Sequence, residues 1–118
     1  MDVSDYIAAD PVAAEILERL VELLEDFEAV ERTDQKSQIR FARKHPFAAL
    51  WVPEQYLQRK TAPAVLSLMA KHRMASDRFK QVVEPRPNRF THHIELDSAD
   101  DLDADVRELL HAAWQDAG

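Results

Sequence analysis

Residues 89–97 read Arg89-Phe90-Thr91-His92-His93-Ile94-Glu95-Leu96-Asp97, and this stretch decides the fold. Phe90, His92, Ile94 and Leu96 alternate with Thr91, His93, Glu95 and Asp97, a period of two that belongs to a strand with one buried and one open face. Immediately before it, Pro85-Arg86-Pro87-Asn88 reads as a turn. Immediately after it the period lengthens. Ser98 and Asp101 have capping-box spacing, and Leu102, Val106, Leu109, Leu110, Ala113 and Trp114 recur as an apolar helical stripe, which predicts a helix over about 99–116.

The same change of period occurs in reverse at the other end of the chain. Asp10 followed by Pro11 reads as an N-cap and first helical residue, because proline's missing N–H costs nothing there. Ile16, Leu20, Leu23, Leu24 and Phe27 then predict a helix over about 11–27, with Glu15, Glu18, Glu22, Glu25 and Asp26 largely outside. Past it, Ile39 and Phe41 alternate with Lys36, Gln38 and Arg40 as in a half-buried strand. Arg43-Lys44-His45-Pro46 makes a turn. Phe47 to Val52 is apolar on both alternations, the pattern of a central strand covered on both sides or of one whose second side is a binding surface. Pro53 ends it, Tyr56 to Pro63 reads as a connection, and Ala64 to Met69 is a further strand. Residues 76–84 fit either a short helix capped by Ser76-Asp77 or an extended segment over 79–83. The expected fold is α+β in a single domain spanning 1–118: an N-terminal helix, an antiparallel sheet of four or five strands and a C-terminal helix, with both helices on one face and the other face open.

Composition excludes much chemistry. The chain of 118 residues has no cysteine, which removes disulfides, thiolate metal sites and cysteine nucleophiles, and its single glycine is Gly118, which removes glycine-rich phosphate loops and the EF-hand. The N-terminus lacks the basic and apolar regions of a signal peptide, and no apolar run approaches the ~20 residues of a membrane span, so the expectation is a cytoplasmic protein without membrane contact. The net charge of -7 conceals a segregation: residues 1–35 hold 11 acidic and 2 basic side chains, 36–93 hold 3 and 12, and 94–118 hold 8 and 1. Either the acidic ends neutralise the basic middle within the fold, or the acidic helices face outward and leave an anion-attracting sheet.

The segments Lys36-Ser37-Gln38-Ile39-Arg40-Phe41, Phe47-Ala48-Ala49-Leu50-Trp51, Phe79-Lys80-Gln81-Val82-Val83-Glu84-Pro85 and Arg89 to Leu96 resemble a bacterial and archaeal domain-of-unknown-function family. Some of its members are labelled "predicted transport protein". The resemblance covers about 28–118 and implies a fold without implying any catalytic residue. In architecture alone, the helix–sheet–helix order is similar to that of frataxin-like proteins.

Two sets of residues are candidates for function. Lys36, Arg40 and His93 are expected on the open sheet face, with Trp51 or Leu50 beside them according to register and with Arg43 and Lys44 extending the charge into a loop. Cations interleaved with an aromatic suit phosphate and base contacts, so noncatalytic binding of a nucleotide or nucleic acid is the expected function. The second set is His92, His93 and Glu95. Alternation buries His92 and leaves His93 and Glu95 sharing the open face, where they fit a general acid/base pair of a small enzyme, although the sequence offers no evident nucleophile. A protein-interaction module for an acidic partner is a third reading. No cofactor is expected, and no further His or carboxylate has a spacing that completes a metal site with His93 and Glu95. Trp114 is placed in core packing or in a homodimer contact.

Overall fold

The computed structural model describes residues 1–55 and 62–118; the expected connection 56–63 falls mostly outside them. Helix α1 (Val3–Ala9) and helix α2 (Pro11–Leu24) precede strands β1 (Glu31–Asp34), β2 (Ile39–Ala42), β3 (Pro46–Trp51), β4 (Ala64–Ala70), β5 (Gln81–Arg86) and β6 (Arg89–Leu96), and helix α3 (Ala104–Asp116) closes the chain. The six strands form one antiparallel sheet in the order β1-β2-β3-β4-β6-β5. Among the described residues no helix is long and apolar enough to cross a membrane.

The sheet thus has six strands rather than four or five. β1 escaped the sequence reading because Glu31-Arg32-Thr33-Asp34 has no apolar residue to betray a period, and all four residues are exposed. That is the composition of a protected edge, where charge discourages pairing with another chain. β5 is the other edge; its Pro85 removes a donor that an edge strand does not need, so the turn shrinks to Pro87 and Asn88 between the paired Arg86 and Arg89. Asn88 accommodates the left-handed backbone at φ 62°.

At the N-terminus, the carboxylate of Asp10 accepts the N–H of Val12 at 2.9 Å and Pro11 opens α2, as its residue type requires. The helix ends at Leu24, three residues short of the predicted Phe27, and the chain turns through Ala29 at φ 56°. An additional short helix, α1, precedes it. At the C-terminus Ser98 and Asp101 do form a capping box, but it opens a 3-10 turn, Ala99–Asp101; α3 starts afresh with Asp103 accepting the N–H of Val106 at 3.1 Å.

One core forms between the helices and one face of the sheet. It joins Val3 and Ile7 of α1, Ile16, Leu20 and Leu23 of α2, and Val106, Leu110 and Ala113 of α3 to Ile39, Phe41, Leu50, Leu66, Leu68, Ile94 and Leu96. Each fully buried leucine or isoleucine in it contributes about 1.5–3 kcal/mol. Phe47 breaks the alternation because Phe41 pairs with Ala48 while Ala42 pairs with Pro46, which leaves Phe47 as an extra residue in β3. This bulge lets both Phe47 and Ala48 join the core. The apolar run of β3 therefore reflects a bulge as well as a central position, and only Ala49 and Trp51 remain on the second face.

Candidate functional site

The register aligns Thr33, Arg40, Ala49, Ser67, His93 and Gln81 in one row across all six strands, on the face opposite the core. Rows on either side hold Trp51, Val65 and Glu95, and Met69, Thr91 and Val83. At about 4.8 Å between strands, the small Ala49 leaves a low floor between Arg40 and Ser67. A depression of about 330 Å³ lies there, walled by Gln38, Trp51, Ser67, Met69, Thr91 and His93.

Its polar wall is a continuous chain of hydrogen bonds. The indole Nε1–H of Trp51 donates to Ser67 Oγ at 2.8 Å, and Ser67 Oγ lies 2.7 Å from His93 Nδ1. An indole can only donate, so the serine oxygen accepts from it and the serine hydrogen is available to the imidazole. Burial, with a smaller contribution from nearby His92, holds the His93 pKa below its ordinary value. With the serine hydrogen donated to Nδ1, the neutral ring carries its own hydrogen on Nε2. Trp51 and His93 also meet edge to face, with centroids 6.0 Å apart.

Arg40 stands beside Ala49 in the same row, half-buried, and its Nε is buried without a hydrogen-bond partner among the described residues. Such a group is an exception to the rule that buried donors are paired. Leu50, the alternative neighbour allowed by the sequence, is wholly in the core.

The remaining members of the expected basic face lie elsewhere. Lys36 is exposed in the β1–β2 turn rather than on a strand, and its carbonyl accepts the N–H of Val3 at 2.8 Å. Arg43 lies over the ring of Trp114 at 4.0 Å from its centroid, against α3. Lys44 is exposed at the β2–β3 turn, the opposite end of β2 from Lys36. The four cations proposed from sequence to act together are thus dispersed by the geometry of β2, and of them only Arg40 is paired with a residue that lines the depression, Ala49.

His92 and His93 separate as alternation requires. His92 is fully buried; its Nδ1 bonds the carbonyl of Leu68 at 3.0 Å and its Nε2 accepts the N–H of Met74 at 2.9 Å. Burial lowers its pKa, so it is a neutral core residue that ties the loop after β4 to β6. Glu95 is exposed and 3.6 Å from Lys80 Nζ. His93 is joined to Ser67 rather than to Glu95. Among the described residues no three His, Asp or Glu side chains converge as metal ligands would.

Part of the charge segregation is neutralised within the fold: Arg78 of the basic middle binds Asp103 of the acidic C-terminal stretch at 2.9 Å, tying the loop before β5 to the start of α3. Arg107, by contrast, joins the two acidic ends by reaching Asp26 at 3.5 Å. Ser67 is the site residue that the sequence reading missed. Its signal was a single hydroxyl inside the apolar run Ala64-Val65-Leu66-Ser67-Leu68-Met69, a polar group at a position that strand pairing was bound to bury.

A family model described as a domain of unknown function (DUF5655) matches residues 3–117. No curated protein and no solved structure matches the chain.

Proposed function

The chain belongs to the DUF5655 family, and because that membership assigns no chemistry, we propose from the geometry of the open sheet face that the protein is a binding module for a small anionic ligand of mononucleotide size. The observation that carries this reading is the Trp51–Ser67–His93 chain, which holds a neutral imidazole beside a depression whose floor residue, Ala49, is paired with Arg40 on the neighbouring strand. The volume of about 330 Å³ falls at the small end of ligand sites. Dispersal of Lys36, Arg43 and Lys44 favours a compact ligand over a polymer, since a strand of nucleic acid needs a continuous cationic track.

The arrangement favours binding over catalysis. Ser67 is only 4% exposed and its oxygen is engaged on both sides, the condition of a group that positions another. A general-base role for His93 would leave Ser67 as the adjacent hydroxyl, with Glu95 engaged elsewhere.

Calorimetric titration with a panel of nucleoside monophosphates and with a short single-stranded oligonucleotide tests the reading. Mononucleotide binding that weakens at least tenfold in Arg40→Ala and is unchanged in Lys44→Ala is the expected result. Binding of the oligonucleotide alone, with equal losses in both variants, would replace the compact site with a diffuse cationic surface.

A further inference from the structure

A second cavity, of about 260 Å³, opens where β3, β4 and β6 meet the end of α3. Its walls include His45, Met69, Arg86, Arg89, Phe90 and Thr91. Arg86 and Arg89 are directly opposed across the β5–β6 hairpin, a placement in which like charges repel. Neither has a carboxylate within salt-bridge distance among the described residues. Glu84, on the same strand as Arg86, accepts the N–H of Asn88 at 3.0 Å, and the carboxylate of Asp116, also in the cavity wall, accepts the N–H of Lys71 and lies 3.7 Å from His72. The hairpin thus holds two unneutralised guanidinium groups side by side, and an oxyanion is the group whose arrival would relieve them.

Met69 and Thr91 line both this cavity and the depression beside Ser67 and His93. The two hollows therefore meet along β4 and β6. Arg89, Thr91 and His93 share one face of β6, and four residues of strand separate Arg89 from His93 by about 13 Å. That is too far for one inorganic anion to touch both and suits a molecule with a body between two ends.

We propose that Arg86 and Arg89 form an oxyanion subsite that takes the phosphoryl group of a phosphomonoester, whose body lies over Met69 and Thr91 and whose polar head reaches Ser67 and His93. This rests on the open-face reading for the head group but not for the anion. Arg86 and Arg89 supply paired donors to the phosphoryl oxygens, and His45 borders the same cavity, while the Asp116 carboxylate in its wall is engaged by Lys71 and His72.

Amide chemical-shift titrations of the full chain with inorganic phosphate, adenosine and adenosine 5′-monophosphate test it. Phosphate is expected to shift His45, Arg86, Asn88 and Arg89 only, adenosine to shift Ser67 and His93 only, and the monophosphate to shift both sets with at least tenfold higher affinity than either fragment. The double variant Arg86→Ser/Arg89→Ser, checked for an unchanged fold by its remaining amide spectrum, should remove the phosphate response and weaken the monophosphate at least tenfold. A phosphate response that survives in the double variant, or no phosphate response at the hairpin in the parent, overturns the subsite. Shifts at the hairpin with none at Ser67 or His93 for any probe would keep the oxyanion subsite, overturn its bridging to the depression and refute the open-face reading. The opposite pattern would overturn the subsite alone.

Discussion

Ser67 and His93 stand directly opposite one another on β4 and β6, with Ser67 Oγ 2.7 Å from His93 Nδ1. Since the same oxygen accepts from Trp51, three strands are tied by side chains on a face that an antiparallel sheet commonly gives to water. Removing the hydroxyl by Ser67→Ala should release the indole of Trp51. The Trp51 Nε1–H resonance is expected to move and to exchange faster with solvent. That of Trp114, bonded to the carbonyl of Glu28 at 2.8 Å, should stay in place.

His92 and His93 are adjacent in sequence and opposite in consequence. His92→Ala leaves a cavity, removes a donor from the Leu68 carbonyl and strands the Met74 N–H, which should cost about 2–4 kcal/mol. His93→Ala loses one partly accessible hydrogen bond and should cost about 1 kcal/mol. Urea denaturation of the two variants measures the difference, and equal losses would contradict the assigned faces.

Acid should destabilise the fold through the same two rings. Burial places both folded-state pKa values below the ordinary imidazole value, so at mildly acid pH the unfolded chain binds more protons than the folded one. The stability held by neutral His92 and His93 is complete above the unfolded value of about 6.5 and declines as pH falls below it, until the folded rings themselves are protonated. Denaturation midpoints between pH 7.5 and 5.5 should fall, and the fall should shrink in a His92→Gln variant that still folds.

Arg43 is predicted to be a stability residue. Its guanidinium covers Trp114 at 4.0 Å, a contact of about 0.5–2 kcal/mol in this class. Arg43→Ala should therefore lower the melting temperature while leaving ligand affinity at the open face unchanged, the reverse of the expectation for Arg40→Ala.

Ala29 occupies φ 56° in a turn where the chain has no glycine to offer. Left-handed backbone costs a residue with a Cβ about 1–2 kcal/mol, and glycine's larger unfolded-state entropy returns about half of the benefit. Ala29→Gly should stabilise the fold by about 0.5–1 kcal/mol, seen as a raised denaturation midpoint. A loss of stability would mean that the Ala29 methyl makes a contact worth more than the strain.

The charged edge strand β1 and the apolar β3 show where local pattern reaches its limit. Period detects a strand only when one face is buried and the other wet: β1 buries neither face, and β3 inserts Phe47 at a bulge. Proline misled in the other direction, since Pro85 marks a turn in most contexts but is tolerated on the edge strand that β5 turns out to be.

The order of helix, sheet and helix, the start of α2 at Asp10-Pro11 and the opposed faces of His92 and His93 were determined by sequence alone, because capping and alternation are local and repeat with the geometry of the backbone. The open-face depression was decided only by tertiary structure. Arg40, Ala49, Ser67 and His93 lie on four different strands, and strand order and register alone bring them into one row. The same register scattered Lys36, Arg43 and Lys44, neighbours along the chain, to opposite ends of β2 and onto α3. Charge adds along a sequence without regard to direction, whereas a folded strand sends each side chain to one face and each turn to one end, and this directional sorting is absent from composition.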